Sequence, residues 1–282
     1  MVIDIHVHVQ PLEMMKPACR AVMEAKHPDF ERIAALAHDP ARFVALMDAE
    51  GIGRVGIINY VAERVMGFTH EVNDWAARYA RDHRDRLLPF GSIDPTSDID
   101  PAREMDRIVE HLRLPALKLH PPHQLFHANQ YRQGLTALET VYRKAQEARL
   151  PVMIHTGTSI FPGARNIYAD PMAVDDVAVD FPELPIILAH GGRPLYMQTA
   201  AFLVRRHKNV WMDISGIPPQ SLLDYFPRLE QLSDRVLWGS DWPGPMVPGM
   251  AANLGRFLAL PLSEAARLRI LHENAEKLFR LA

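Results

Sequence analysis

The chain has 282 residues, 48% hydrophobic and 23% charged, with 34 acidic against 31 basic residues and a net charge of −3, enough to bury a large core without disulfides. No long run of either sign marks it, which argues against an electrostatic grip on nucleic acid or anionic lipid and leaves a small molecule as the expected partner. One cysteine, Cys19, no signal-like N-terminus and no apolar run near the roughly 20 residues of a membrane span point to a cytoplasmic protein.

Eight short apolar, β-branched runs bounded by Gly, Pro or Asn follow one another along the chain and read as buried parallel strands. They are Val2–Val9, Val55–Tyr60, Leu87–Ile93, Ala116–His120, Val152–His155, Ile186–His190, Val210–Ile214 and Val236–Gly239. Between them lie segments with helical spacing: Phe30–Glu50, His70–His83, Pro101–Leu112, Gly134–Arg149, Pro171–Phe181, Leu195–His207 and Pro219–Leu232, with Ser263–Leu281 at the end. In Gly134–Arg149 the residues Leu135, Leu138, Val141, Tyr142 and Ala145 share one helix face, the face expected to cover a sheet. Pro115, Pro151 and Pro185 each stop a helix just before a strand. The segment from Gln10 to Asp29 is long for a connection and reads as a lid.

Strand and helix alternate over the whole length with no linker, which predicts an α/β fold, a (β/α)8 TIM barrel forming one domain over 1–282. A doubly wound open sheet is the alternative. It would carry a glycine-rich turn after the first strand, where this chain has His8-Val9-Gln10-Pro11-Leu12.

Fourteen histidines are the compositional oddity, and five of them fall on the first strand or at strand ends. His6 and His8 sit on the first strand, His120, His155 and His190 end the fourth, fifth and sixth, and Asp241 follows the eighth. In a barrel all strand C-termini open on one mouth, so these distant residues become neighbours. His6 and His8, two apart on a strand, present both imidazoles to one face and can grip one ion. Imidazoles with a carboxylate suit Zn2+, and Mn2+, Fe2+ or Co2+ can occupy similar ligands.

His6-Val7-His8, Ile154-His155-Thr156-Gly157, Ala189-His190-Gly191-Gly192 and Trp238-Gly239-Ser240-Asp241-Trp242-Pro243 together resemble the motifs of the amidohydrolase superfamily. The likeness is to its amidohydrolase-related branch, the one that includes aminocarboxymuconate-semialdehyde decarboxylase, and it runs on to Glu273-Asn274-Ala275-Glu276-Lys277-Leu278. The resemblance implies a distorted barrel and one divalent metal held by His6, His8, His155 and Asp241. It also implies catalytic roles for Asp241 and His190, and a homodimer as the assembly to test. The expected chemistry is metal-activated water attacking a small amide, ester or lactone carbonyl. The alternative is nonoxidative decarboxylation of an unsaturated or aromatic carboxylic acid, and a third reading is a metal-binding barrel without catalysis.

Around this set, His120, Arg165, Arg193 and Trp242 are the expected substrate contacts, the two arginines because a guanidinium pairs with a carboxylate through two hydrogen bonds. Lys118 matches the place of a lysine that is carboxylated in binuclear relatives. The plainer reading, favoured here, is a stem lying along apolar neighbours and an ammonium paired with an acid. Asp213 and Ser215 are read as orienting ligands or filling the barrel. His123 and His127 are read as solvated loop histidines.

Overall fold

The computed structural model describes residues 1–27, 29–244 and 247–281. Eight parallel strands lie in one sheet in chain order: β1 (Ile3–Val7), β2 (Arg54–Ile57), β3 (Leu87–Gly91), β4 (Ala116–Leu119), β5 (Val152–His155), β6 (Ile186–Ala189), β7 (Val210–Asp213) and β8 (Val236–Leu237). The sheet curls into a nearly closed TIM barrel, as the strand–helix alternation predicts. Its seam lies between β8 and β1. There Ile5 N–H donates to Trp238 C=O (3.1 Å), Asp241 N–H to His6 C=O (2.9 Å) and His8 N–H to Trp242 C=O (2.8 Å). These three bonds place His6, His8 and Asp241 on one seam. Asp4 reinforces it, its Oδ1 accepting the backbone N–H groups of His6 (3.1 Å) and Ser240 (2.9 Å).

The strands are buried on both faces, which explains why they read as short continuous apolar runs rather than alternating ones. Leu117, Leu119, Ile154, Ile186, Leu188 and Met212 pack in one cluster with helix residues such as Leu138, Val141, Val177 and Leu203. The intervening Phe90, Met153, Ile187 and Leu237 pack in a second cluster, joined by Leu278 and Phe279 of the C-terminal helix. The ring of Phe279 meets that of Phe90 edge-on at 5.8 Å.

Several segments depart from the sequence expectation, among them the predicted helix Pro219–Leu232, which is a 3-10 turn (Pro219–Ser221) and two one-turn helices, Leu222–Tyr225 and Leu229–Leu232. The predicted helix Phe30–Glu50 is two helices, Phe30–Leu36 and Pro40–Ala49. Asp39 caps the second by accepting Arg42 N–H, and Pro40 occupies its first turn, so the break follows ordinary helix-start chemistry. Inside the expected lid lies a helix, Pro17–Lys26, anchored by Lys16 N–H to Met66 C=O (2.8 Å) and by the Cys19 thiol to Val65 C=O (3.3 Å). A further helix, Met250–Leu258, lies in a stretch for which no element was expected. The final helical segment is as predicted, with a π-helical turn at Arg269–Glu273 between Glu264–Leu268 and Asn274–Phe279. Among the described residues no helix is long and apolar enough to cross a membrane.

Candidate metal centre

At the carboxyl ends of the strands six imidazoles touch in an unbroken series. Ring centroids lie 5.1 Å apart for His8 and His6, 4.6 Å for His6 and His190, 4.7 Å for His190 and His155, 3.8 Å for His155 and His120, and 3.6 Å for His120 and His123. Five of these side chains are buried, and His8 is the partly exposed one.

His6 shows how the chain fixes a buried imidazole. Its Nδ1 lies 2.5 Å from Asp213 Oδ2, at the end of β7. A carboxylate only accepts, so the proton sits on Nδ1 and Nε2 keeps its lone pair, the arrangement in which an outer carboxylate orients a metal-binding histidine. His6 Nε2 is buried with no hydrogen-bond partner. Nearby, His8 Nε2 lies 3.2 Å and His6 Nε2 3.7 Å from Asp241 Oδ1. Ligands at roughly 2.0–2.1 Å around a tetrahedral ion stand about 3.3 Å from each other, so this triad has the spacing of a metal site. One ligand atom from each of His6, His8 and Asp241 lies within 4.8 Å of the others, a group that could hold an ion. His155 does not join it at that spacing. It sits across the ring of His190, with its Nε2 also buried and unpartnered.

A second close group, His6, His190 and Asp213, has a different character. Both Asp213 oxygens are occupied, Oδ2 by His6 Nδ1 and the Ser215 hydroxyl (2.7 Å) and Oδ1 by Ser215 N–H (2.8 Å). Asp213 orients. The single hydrogen of the Ser215 hydroxyl goes to Asp213, so His190 Nδ1–H donates to Ser215, whose hydroxyl and carbonyl oxygens lie at 2.9 and 3.1 Å. His190 Nε2 is thereby left as a proton acceptor.

Burial dominates the electrostatics. It holds His6, His155 and His190 well below the usual imidazole range, helped by the Lys118 charge for the first two and Arg193 for the third. Neutral imidazoles are the form that binds a metal. Burial would raise Asp241, but hydrogen bonding from His8 and the charges of Arg193 and His6 hold it below the ordinary carboxylate value. Asp4 is pushed up to about 7 by burial, and Asp213 is raised for the same reason.

The sequence-predicted substrate contacts separate into three groups. His120 and Arg193 line a cavity of about 330 Å³ together with His8, His155, His190 and Asp241. Arg193 is also bonded to the site itself, its Nη2 donating to Asp241 Oδ2 at 2.9 Å. Trp242 and Arg165 do not line that cavity. Trp242 turns away and stacks on Phe43 (centroids 6.3 Å, planes 11° apart), with its backbone N–H donating to Ser240 Oγ (3.0 Å). Arg165 is exposed, its backbone N–H on Pro122 C=O (3.0 Å) leaving the side chain outside.

Sequence reasoning misjudged two positions and missed others. His123 is buried rather than solvated, because it lies within a short helix, Pro121–Gln124, at the cavity wall; its Nε2 contacts Ser159 Oγ at 2.6 Å. Its pKa is pushed down to about 3, chiefly by burial. Lys118 is fully buried, but among the described residues no acid pairs with it: its Nζ lies against Met153 Sδ at 3.4 Å. Burial holds its pKa below the usual lysine value. Tyr60, stacked obliquely on His120 at 4.7 Å, and the apolar wall of Met15, Met66 and Phe161 had no sequence signal. Gln124 had none either, yet it pins the β4 loop by donating to Val61 and Ile93 carbonyls (both 2.9 Å) and accepting His120 N–H (2.8 Å).

A protein-family profile described as amidohydrolase matches residues 3–281. Among curated proteins no sequence matches the chain. Solved structures do. An uncharacterized TIM-barrel protein from Bordetella bronchiseptica aligns with a TM-score of 0.75 at 23% identity, covering 99% of this chain and 98% of that one. A 5-carboxyvanillate decarboxylase from Novosphingobium aromaticivorans, solved with bound manganese, aligns at 0.69 and 18% identity over 100% and 97%. A 4-oxalomesaconate hydratase from Rhodopseudomonas palustris aligns at 0.66 and 20% identity over 100% and 96%.

Proposed function

Because this chain belongs to the amidohydrolase family, a family of metal-dependent enzymes, we propose that it hydrolyses a small carbonyl compound, an amide, ester or lactone, at one divalent ion held by His6, His8, His155 and Asp241. The observation that carries this reading is the pair of buried, unpartnered nitrogens, His6 Nε2 and His155 Nε2, in a site that also holds the ionised Asp241. A buried imidazole nitrogen left without a protein partner is costly unless another group takes it, and on His6, whose proton Asp213 holds on Nδ1, the free group is a lone pair that a cation can take.

The donor set fits Zn2+, and the manganese in the decarboxylase structure makes Mn2+ the second ion to try. Such an ion, when bound, polarises a carbonyl oxygen and brings the pKa of water towards about 7. The chain's own groups supply the rest. Asp213 and Ser215 fix the tautomers of His6 and His190, and His190 Nε2 accepts and returns the proton. Arg193 offers a cation to an anionic group of the substrate, and the wall of Met15, Met66 and Phe161 excludes water from an apolar body. Tyr60 and His120 face that body from the other side.

One observation favours a second reading. Arg193 stands at the cavity wall beside Asp241, where a carboxylate would find a partner, and a carboxylic acid is the substrate named for the neighbouring decarboxylase. Turnover in isotopically labelled water separates the two. Hydrolysis places solvent oxygen in the product; release of CO2 with no labelled oxygen in the organic product establishes decarboxylation instead.

A further inference from the structure

Asp241 occupies an awkward place for a residue that must aim one oxygen accurately. Its backbone is left-handed (φ 67°), and its carboxylate is free to turn about the last side-chain bond unless something holds it. What holds it is Arg193. The Nη2 of that arginine donates to Oδ2 at 2.9 Å, which leaves Oδ1 as the oxygen facing His8 Nε2 and His6 Nε2. Arg193 is itself anchored through its backbone, its N–H on His190 C=O (3.0 Å) and its C=O accepting Thr158 N–H (2.9 Å).

The pair also needs space that only a glycine provides. A Cβ on Gly216 would stand 2.4 Å from Asp241 Oδ2 and 2.7 Å from both Nε and Nη2 of Arg193, inside any tolerable contact. The backbone there is left-handed as well (φ 64°). Gly216 follows Ser215, whose hydroxyl contacts Nδ1 of both His6 (3.1 Å) and His190 (2.9 Å), so one short segment after β7 reaches both the imidazoles and the carboxylate.

From this geometry we infer that Arg193 is a positioning residue: it holds Oδ2 of Asp241 so that Oδ1 alone is presented to the ion, and Gly216 is the bare position that lets it do so. The inference rests on Asp241 being a metal ligand and adds the group that aims it. A planar guanidinium suits this task better than an ammonium, because its N–H directions are fixed.

The test measures Mn2+ affinity of the metal-free full-length protein by titration calorimetry, alongside its thermal midpoint, for the wild type and for Arg193→Ala, Arg193→Lys, Gly216→Ala and the exposed-charge control Arg143→Ala. Loss of an outer partner of a ligand weakens metal binding about 10–100-fold. That loss is expected for Arg193→Ala and Gly216→Ala, with Arg193→Lys between and Arg143→Ala unchanged. Millimolar guanidinium should restore part of the affinity of Arg193→Ala, which a purely structural arginine would not allow. Should Arg193→Ala fail to fold, Arg193→Lys and Gly216→Ala decide on the same scale. Wild-type binding with both of those variants within about twofold of it would overturn the inference and leave the metal reading standing. A folded wild type that binds no Mn2+ or Zn2+ would overturn the metal reading and this inference with it.

Discussion

Replacing Asp213 by Asn tests whether the buried carboxylate works by fixing the His6 tautomer. Oδ1 of Asp213 accepts Ser215 N–H at 2.8 Å, so the Asn carbonyl must stay there, and its NH2 then falls where Oδ2 met His6 Nδ1 at 2.5 Å. Two donors cannot face each other. Either His6 moves its proton to Nε2, losing the lone pair meant for the ion, or the amide flips and sets its NH2 against Ser215 N–H. The flip leaves buried donors unsatisfied at about 1–3 kcal/mol, and an altered outer partner weakens metal binding by about 10–100-fold, or roughly 1.4–2.8 kcal/mol. Chelator competition on Asp213→Asn, with Zn2+ or Mn2+ as the probe, should therefore show weaker binding by at least about tenfold. His6 Nε2 should also become protonated in 15N spectra of the metal-free protein. Unchanged affinity with the proton still on Nδ1 would refute the tautomer argument.

Two other outcomes follow from burial. His123, with its pKa pushed down to about 3 by burial, stays neutral in the folded protein while the unfolded chain takes up a proton below about 6.5. Its stabilisation is thus complete above pH 6.5 and is lost as pH falls, by about 2 kcal/mol at pH 5. Urea denaturation of metal-free His123→Gln across this range should show a shallower acid decline than the wild type, and parallel curves would contradict the assignment. Phe257 is fully buried in the helix Met250–Leu258, so Phe257→Ala should cost about 3–5 kcal/mol. Metal stoichiometry of that variant should be unchanged, and a cost below about 1 kcal/mol would mean the helix contributes little to the core.

The strands were legible because most combine a short apolar run with a bounding Pro or Gly, and the mouth residues because barrel topology brings every strand end to one place. His6, His8, His120, His155, His190 and Asp241 needed no more than that. The helix break at Asp39-Pro40 was also readable, since a capping aspartate before proline starts a helix, but the apolar spacing on either side masked it. What the sequence could not convey was direction. Trp242 follows Asp241 yet stacks on Phe43, Arg165 shares a loop with Ser159 yet faces outward, and Arg193 turns to a carboxylate 48 residues away. His123 was misread because a loop histidine is usually solvated, whereas here Pro121 and Pro122 start a one-turn helix that buries it. Each of these outcomes depends on tertiary packing rather than local preference.

The central claim is a single-ion site built on the β8–β1 seam, and metal analysis of folded protein prepared without chelator or tag histidines tests it most directly. The account predicts about one equivalent of Zn2+ or Mn2+ per chain, lost in Asp241→Ala and His6→Ala variants that still fold. No bound ion after supplementation with Zn2+ and Mn2+ would contradict it, as would two equivalents per chain, which would require a second ligand set and return Lys118 to the site.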